Sequence, residues 1–304
     1  MILVLLAFGL LLLALPGLAL QPPRRLPPHE WATIALLATL AGAGAVFVAL
    51  VLAAVPALTT VFGVPAIADH CRSALAPLAT EPTFVSWIAA AAAVAFLVRM
   101  LTRILSASRA ARRARVEPWL GDHHAREDFD LVTVPTPSTL AFGVPGPNPQ
   151  VVISTGLAQR LETDELDAVV SHEAAHLRLH HSTVLAVLHG IEASLGMLPF
   201  VHRTLGRLRA ALEVWADAAA LGEAANRRSA LRTALVDLSS TGCIVTVETD
   251  RIARLARRSA PRPLLVRAAV YAPVFVLVVA VGLTAVGWFT EAHHAVALGD
   301  PCTH

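Results

Sequence analysis

The chain has 304 residues, of which 56% are hydrophobic and only 15% are charged, and its mean hydropathy is +0.63. Soluble domains are about 45–50% apolar and about 25% charged, so this composition excludes an ordinary soluble enzyme and a disordered chain. A formal net charge of +2 gives no reason to expect nucleic acid as the main partner, and three cysteines are too few for a disulfide scaffold. The apolar excess predicts membrane-spanning helices.

Four apolar segments are long enough to cross a bilayer, at about residues 2–20, 31–55, 83–105 and 268–290. A helix needs about 20 residues, each rising about 1.5 Å, to cross about 30 Å of hydrocarbon. The first segment lacks a basic region before it and has only a weak cleavage site. We therefore expect a retained helix there rather than a signal peptide.

The positions of the arginines predict how these spans are oriented. Arg24 and Arg25 follow the first span, clusters of arginines follow the third and precede the fourth, and Arg72 alone lies in the loop after the second. Because positive charge is retained in the cytoplasm, both termini are expected outside it and residues from about 106 to 266 inside it. The sequence predicts a multi-pass protein of the cell membrane with a cytoplasmic domain.

The cysteines are divided between the two sides of this topology. Cys71 and Cys302 fall on the outer face, and Cys243 falls in the cytoplasm. A disulfide between Cys71 and Cys302 would tie the loop 59–82 to the C-terminal tail in an oxidising compartment. Two free thiols are the alternative, because the sequence does not give the distance between them.

The region between the third and fourth spans is more polar and is predicted to be a separate domain. Residues 131–134 and 151–154 have the pattern of short strands, separated by turn-forming residues. Thr163 opens a helix over about 163–180, with acids in its first turn and apolar residues at helical spacing after it. The predicted fold class is mainly helical α+β. Residues 1–116 would hold three spans and a basic juxtamembrane segment, 117–262 the domain, and 263–304 the fourth span and a tail.

The chemistry of the chain is concentrated on that helix, where His172, Glu173 and His176 form an HExxH pattern. Two histidines four residues apart project from one helix face, so both imidazoles can bind one ion. The carboxylate of Glu173 can then take a proton from water. Two ordinary surface histidines are the alternative, but the position in the middle of a helix favours a zinc site.

A catalytic zinc site needs three protein ligands and one open position. One known pattern places the third ligand, a histidine, at position 182, where this chain has Ser182. A later helix offers Glu213 and Asp217, four residues apart among apolar neighbours. One of these carboxylates can bind the metal while the other orients a ligand histidine through its second ring nitrogen.

The apolar segment 183–201 raises the question of a fifth span. A single crossing would place His176 and Glu213 on opposite sides of the membrane, and the intervening chain is too short for two crossings and a turn. Because both side chains must bind one ion, we expect a helix that returns, packed against the domain or lying on the bilayer.

The HExxH pattern with a neighbouring carboxylate is the arrangement of zinc peptidases, so peptide hydrolysis is the expected reaction. That reaction also needs a hydrogen-bond donor that stabilises the oxyanion. The only tyrosine, Tyr271, falls in the predicted fourth span. The remaining candidates are His180, His181, His202 and Arg203, which the sequence does not rank. His180 and His181 have a second interpretation as residues at a helix C-terminus, where the helix dipole favours them.

The order of these motifs resembles that of membrane gluzincins, and their position between the third and fourth of four spans is similar to the BlaR/MecR family of regulatory membrane metallopeptidases. The resemblance implies one Zn²⁺ per chain, with His172, His176 and Glu213 as ligands. It further implies that Glu173 is the catalytic base and that Asp217 orients a ligand.

The resemblance also concerns the strand region before the HExxH helix. It implies that Ala141, Phe142 and Gly143 form an edge strand of a minigluzincin-like domain. An extended substrate would pair with that strand, which is a known mode of peptide recognition.

The resemblance to the BlaR/MecR family implies that the protein is a membrane-embedded zinc endopeptidase. Its substrate would be a cytoplasmic transcriptional repressor of the BlaI/MecI kind, cleaved as a signalling step such as an antibiotic response. The best-known members of that family carry a penicillin-binding sensor after the fourth span, whereas here residues 291–304 follow and the chain has no lysine for an S-x-x-K site. An HtpX-like quality-control protease and a non-proteolytic zinc-containing sensor or scaffold are the alternatives. The expected partners are a cytoplasmic protein substrate and the lipid bilayer, without direct nucleic-acid contact, and a homodimer is left open.

Overall fold

The computed structural model describes residues 2–18, 27–61, 84–116, 121–221, 229–234 and 236. Three apolar helices come first, followed by a small sheet and further helices. The helices preceding the sheet are α1 (Ile2–Leu18), α2 (Pro28–Val61) and α3 (Phe84–Arg113). The strands are β1 (Asp122–Ala125), β2 (Asp130–Val134), β3 (Ala141–Val144) and β4 (Gln150–Ser154). The helices after the sheet are α4 (Thr155–Arg160), α5 (Thr163–Arg178), α6 (His181–Leu195) and α7 (Pro199–Leu221).

Among the described helices, two are long and apolar enough to cross a membrane, namely the segments His29–Leu58 and Phe84–Arg113, and α1 is a shorter apolar helix. Helix α3 exposes large apolar side chains such as Phe84, Ile88 and Leu97, which lipid accommodates better than water. These helices indicate a membrane protein. The predicted fourth span and all three cysteines lie outside the described residues.

The three apolar helices pack on one another through small residues and aromatic rings. A Cβ atom placed on Gly42 would lie 2.8 Å from the carbonyl oxygen of Gly9, so the crossing of α1 and α2 depends on the two glycines. On the other side of α2, Phe47 stacks on Phe96 of α3, with ring centroids 5.3 Å apart. The result is a bundle in which α2 contacts both of its neighbours.

The sheet has the strand order β1-β2-β4-β3, with β2 and β4 parallel and the two outer pairs antiparallel. The predictions of strands at 131–134 and 151–154 are confirmed, each strand being one residue longer at its start. Strand β1 was not predicted, because its polar sequence has no alternation of apolar residues. Strand β3 pairs with β4 alone among the described residues and forms an edge of the sheet.

Helix α5 packs across this sheet and presents the HExxH residues. A capping box between Glu162 and Glu165 fixes its start, where the sequence predicts it. Val170 and Ala174 belong to the cluster of buried apolar residues that β4 lines with Val151. The helix ends at Arg178, so the predicted extension to residue 180 is wrong.

The segment after α5 forms a helical hairpin that packs against the apolar bundle. Thr204 Oγ1 of α7 donates to the carbonyl oxygen of Leu13 in α1 at 2.7 Å, and Ser194 Oγ of α6 donates to that of Phe96 in α3 at 3.2 Å. Gly190 lies against Met100, where a Cβ atom would meet its sulfur at 2.6 Å. The apolar segment 183–201 therefore returns, as predicted. It packs against the bundle of α1, α2 and α3, so the expectation that it would pack against the domain or lie on the bilayer is wrong.

Candidate metal centre

The two histidines of the HExxH pattern and one carboxylate of α7 converge on a single point. The Nε2 atoms of His172 and His176 lie 3.1 Å apart, and each lies 3.5 Å from an oxygen of Glu213. One ligand atom from each of the three residues lies within 4.8 Å of the others. Two imidazole nitrogens and a carboxylate are the donor set of a catalytic zinc site, so these residues fit zinc.

Small residues let the two helices that carry these ligands approach closely. Ala175 of α5 packs against Ala216 and Ala220 of α7, and all three are buried. The alanines lie beside the ligands on their respective helices. Their size allows the histidine and carboxylate side chains to reach one another.

Asp217 lies behind the cluster rather than in it. Its Oδ1 atom is 2.9 Å from Nδ1 of His172, and the residue is only 2% exposed. A carboxylate at that nitrogen holds the Nδ1 proton of the imidazole and leaves Nε2 free for a metal. The residue spacing left open which carboxylate of α7 would do which task, and the family resemblance implied Glu213 as the ligand. The structure brings Glu213 to the cluster and Asp217 to Nδ1 of His172.

Glu213 and Glu173 have opposite electrostatic environments. Burial alone would raise the pKa of Glu213, but its interactions with the imidazoles of His172 and His176 together outweigh burial and hold this pKa below the usual range. Burial raises the pKa of Glu173, although the two histidines oppose that shift. The first carboxylate is suited to binding a cation, and the second is suited to exchanging a proton.

Glu173 is fixed in place by the edge strand. Its Oε2 atom accepts a hydrogen bond from the backbone N–H of Gly143 at 3.1 Å. A Cβ atom at Gly143 would lie 3.0 Å from Cγ of Leu177, so a larger residue there would have to displace that side chain. The predicted edge residues Ala141, Phe142 and Gly143 thus form the strand next to the candidate base.

The four candidates for oxyanion stabilisation lie in different surroundings. His181 is 1% exposed, and its Nδ1 atom lies 3.0 Å from Nδ1 of His176, on the side away from the cluster. His180 has a left-handed backbone and its ring contacts the carbonyl oxygen of Leu177 at 3.1 Å. The interpretation of these two as helix C-terminal residues is wrong for His181, which begins α6.

The other two candidates lie far along α7 from the ligand carboxylate. His202 contacts Glu192 of α6 at 3.0 Å, and Arg203 is exposed beside it. At about 1.5 Å per residue, these positions are about 15 Å from Glu213 along the helix. Tyr271 lies outside the described residues.

Sequence reasoning missed the contact between His181 and His176. Burial lowers the pKa of His181 to about 4, so its ring is neutral at physiological pH. The ring also lies edge-on to Trp215, with centroids 5.3 Å apart. No helical spacing indicated this contact, because the chain changes direction at His180 between the two histidines.

The sequence of the region that holds the centre is similar to known proteins. Residues 120–221, from the sheet to the end of α7, match the model of Peptidase family M48. Protease HtpX of Thioalkalivibrio sulfidiphilus is 33% identical over 88 residues, which cover 26% of this chain and 30% of that protein. A Protease HtpX homolog of Levilactobacillus brevis is 28% identical over 126 residues, covering 36% of this chain and 42% of the homolog.

A third relative, a Protease HtpX homolog of Moorella thermoacetica, is 39% identical over 57 residues, or 19% of each chain. The chain thus spans less than half the length of each of these relatives. No solved structure gives a significant match. The matches show that residues 120–221 are similar to Peptidase family M48 and that parts of the chain are similar to HtpX proteases. They do not confirm the narrower resemblance to BlaR/MecR proteins, which stays a prediction.

Proposed function

We propose that the protein is a membrane-anchored zinc endopeptidase that hydrolyses peptide bonds in an extended segment of a protein substrate. The observation that carries this proposal is the convergence of His172, His176 and Glu213 beside Glu173. A zinc site that serves only structure has no need of a carboxylate held next to its ligands. The neighbouring Glu173 therefore favours an enzyme over a zinc-containing sensor or scaffold.

The residues of the centre have different roles in the proposed reaction. Zinc, when bound, would polarise the scissile carbonyl and make water more acidic. Glu173 accepts a proton from the attacking water and returns it to the leaving amine, and a raised pKa suits a carboxyl group to both steps. Asp217 keeps His172 in the tautomer that presents Nε2 to the metal.

Strand β3 offers the backbone groups with which an extended substrate would pair. The carbonyl oxygen of Leu140 accepts a hydrogen bond from the N–H of Ser154 in β4. The backbone N–H and C=O groups of every second residue of this segment therefore point toward β4. The backbone groups of Ala141 and Gly143 consequently point away from β4, and the hydrogen bond from the Gly143 N–H to Glu173 agrees with this direction. A peptide added along this edge would run past Glu173 and bring its carbonyl groups to the centre.

The proposal is tested with the full chain in detergent, using casein as an unfolded probe substrate. Glu173→Gln keeps the size of the side chain but cannot accept the proton, so we expect a loss of activity of about 10²–10⁴-fold. His189→Gln is the matched control, because His189 is exposed on α6. Equal cleavage of casein by Glu173→Gln and wild type would contradict the proposal.

The substrate class has two candidates. The similarity to HtpX proteases favours a quality-control protease with broad substrates. Regulatory cleavage of a BlaI/MecI-like repressor is supported by the order of the motifs and by the apolar helices that precede the peptidase domain. Coexpression with a winged-helix repressor, followed by mass spectrometry of fragments, separates them: specific fragments that Glu173→Gln abolishes support the repressor.

We also propose that the centre faces the cytoplasm. The last turn of α3, which leads into the sheet, contains Arg112 and Arg113, and Arg103 and Arg109 precede them on the same helix. Arginines at the end of an apolar helix favour the cytoplasmic side. This orientation is tested with Ser108→Cys, at an exposed position, in a chain whose Cys71, Cys243 and Cys302 are replaced by serine. Labelling of that variant by a membrane-impermeant reagent in intact cells would contradict the orientation.

A further inference from the structure

We propose that His181 is a positioning residue for His176: its neutral imidazole accepts a hydrogen bond from Nδ1–H of His176, which leaves Nε2 of His176 facing the metal. This inference rests on the zinc centre of the proposed function, not on peptide hydrolysis itself. It assigns a task to a buried histidine that is neither a ligand nor the base.

The direction of this hydrogen bond follows from the chemistry of imidazole. Only one proton can lie between the two Nδ1 atoms, which are 3.0 Å apart. A histidine that binds a metal through Nε2 carries its remaining proton on Nδ1. His176 therefore donates, and His181 accepts with the lone pair of its own Nδ1 atom.

Burial leaves the ring of His181 few possible partners. The residue is 1% exposed, and its Nε2 atom has no hydrogen-bond partner among the described residues. The contact with His176 is therefore the one hydrogen bond that its ring makes within the described part of the chain. A buried histidine serving only as packing would be replaceable by an apolar side chain of similar size.

The chain makes a specific turn to place His181 there. His180 adopts a left-handed backbone with φ 55°, which reverses the chain after α5 and lets α6 begin at the next residue. A left-handed conformation is costly for a residue other than glycine and persists where surrounding contacts stabilise it. The reversal brings the first residue of α6 back to the ring of His176, one turn above His172 on α5.

The two ligand histidines consequently have different partners. His172 is held by the carboxylate of Asp217 from α7, whereas His176 is held by the neutral ring of His181 from α6. Each partner fixes a tautomer and a ring orientation. The neutral partner does so without adding a second negative charge behind the ligands.

The test compares two replacements of His181 in the full chain, purified in detergent. His181→Leu keeps the apolar bulk and removes the acceptor, whereas His181→Asn retains an acceptor oxygen near the position of Nδ1. The measurement is the Kd for Zn²⁺ in competition with a fluorescent chelator. We expect His181→Leu to raise this Kd by about 10–100-fold and His181→Asn to recover most of the loss. His189→Leu, on the exposed face of the same helix, should leave the Kd unchanged.

Equal zinc affinity in wild type and His181→Leu would overturn the proposal. If His181→Leu does not fold, His181→Asn is compared with His181→Gln, whose amide reaches the position of Nε2 instead. Equal zinc affinity of these two variants would then also overturn it. Zinc binding by wild type without peptide hydrolysis would remove the proposed function and leave the role of His181 standing. Failure of wild type to bind zinc would overturn both.

Discussion

At the scale of single residues, the centre depends on which atom of each side chain carries a proton. His172 presents Nε2 because Asp217 lies at its Nδ1 atom, and the ionised state of Glu213 is stabilised by both ligand histidines. The sequence predicted the residue types and their spacing. The pattern alone did not assign the roles of Glu213 and Asp217, because the rotation of α7 about its axis is fixed by packing against other helices; the family resemblance supplied that assignment.

A first prediction concerns the two carboxylates of α7. Asp217→Asn should raise the Kd for zinc by about 10–100-fold, because the histidine loses its charged partner but the three ligands remain. Glu213→Gln removes a ligand and should weaken binding further. Zinc content after dialysis against graded concentrations of chelator measures both, and a stronger effect of Asp217→Asn than of Glu213→Gln would contradict the assignment.

A second prediction concerns thermal stability. A ligand that binds only the folded protein raises stability by RT ln(1 + [L]/Kd), which is about 2.7 kcal/mol at a hundredfold excess over Kd. Zinc should therefore raise the Tm of the wild-type chain after metal removal. Glu173→Gln should keep this rise and Glu213→Gln should lose it, as measured by differential scanning fluorimetry. The same response in both variants would be inconsistent with a site made by Glu213.

At the scale of elements, apolar periodicity and capping residues predicted α5, β2 and β4, because these lie in one local core. The return of the chain between His176 and Glu213 was predicted from the requirement for a shared ion. Strand β1 and the packing of the α6–α7 hairpin against the apolar helices were not predicted. Both depend on contacts between distant segments, which local patterns do not encode.

The edge strand gives a third prediction. Ala141→Pro removes an outward-facing N–H from β3, which an edge strand tolerates, whereas Ala141→Val keeps it. We expect KM for casein to rise about tenfold in the proline variant, with zinc affinity unchanged, because one backbone hydrogen bond to the substrate is lost. Similar KM values in the two variants would argue against substrate pairing at this strand.

At the scale of the whole molecule, one apolar core joins the peptidase helices to the bundle. The buried residues Leu13, Phe96, Leu188, Ile191 and Leu205 belong to a single cluster. Composition predicted both the apolar helices and the more polar region after them. It did not predict that α6 and α7 share a core with α1, α2 and α3.

The glycine crossing of the bundle gives a fourth prediction. Gly42→Val places a side chain against the backbone of α1, whereas Gly44→Val has open space around its Cβ atom. The first variant should lose about 1–3 kcal/mol of stability, as overpacked sites do, and the second should change little. Chemical denaturation in detergent provides the comparison, and equal losses would show that the crossing tolerates a side chain.

The donation from Thr204 to Leu13 has a consequence for the metal. Helix α7 carries Glu213 in its C-terminal half and contacts α1 through Thr204 in its N-terminal half. The ligand histidines lie on α5, which packs against the sheet. We therefore expect zinc affinity to depend on the arrangement of the apolar helices, and such a dependence would be reciprocal. A bilayer whose thickness favours a different tilt of α1 would then weaken zinc binding. Removal of zinc would in turn weaken the packing of α7 against α1.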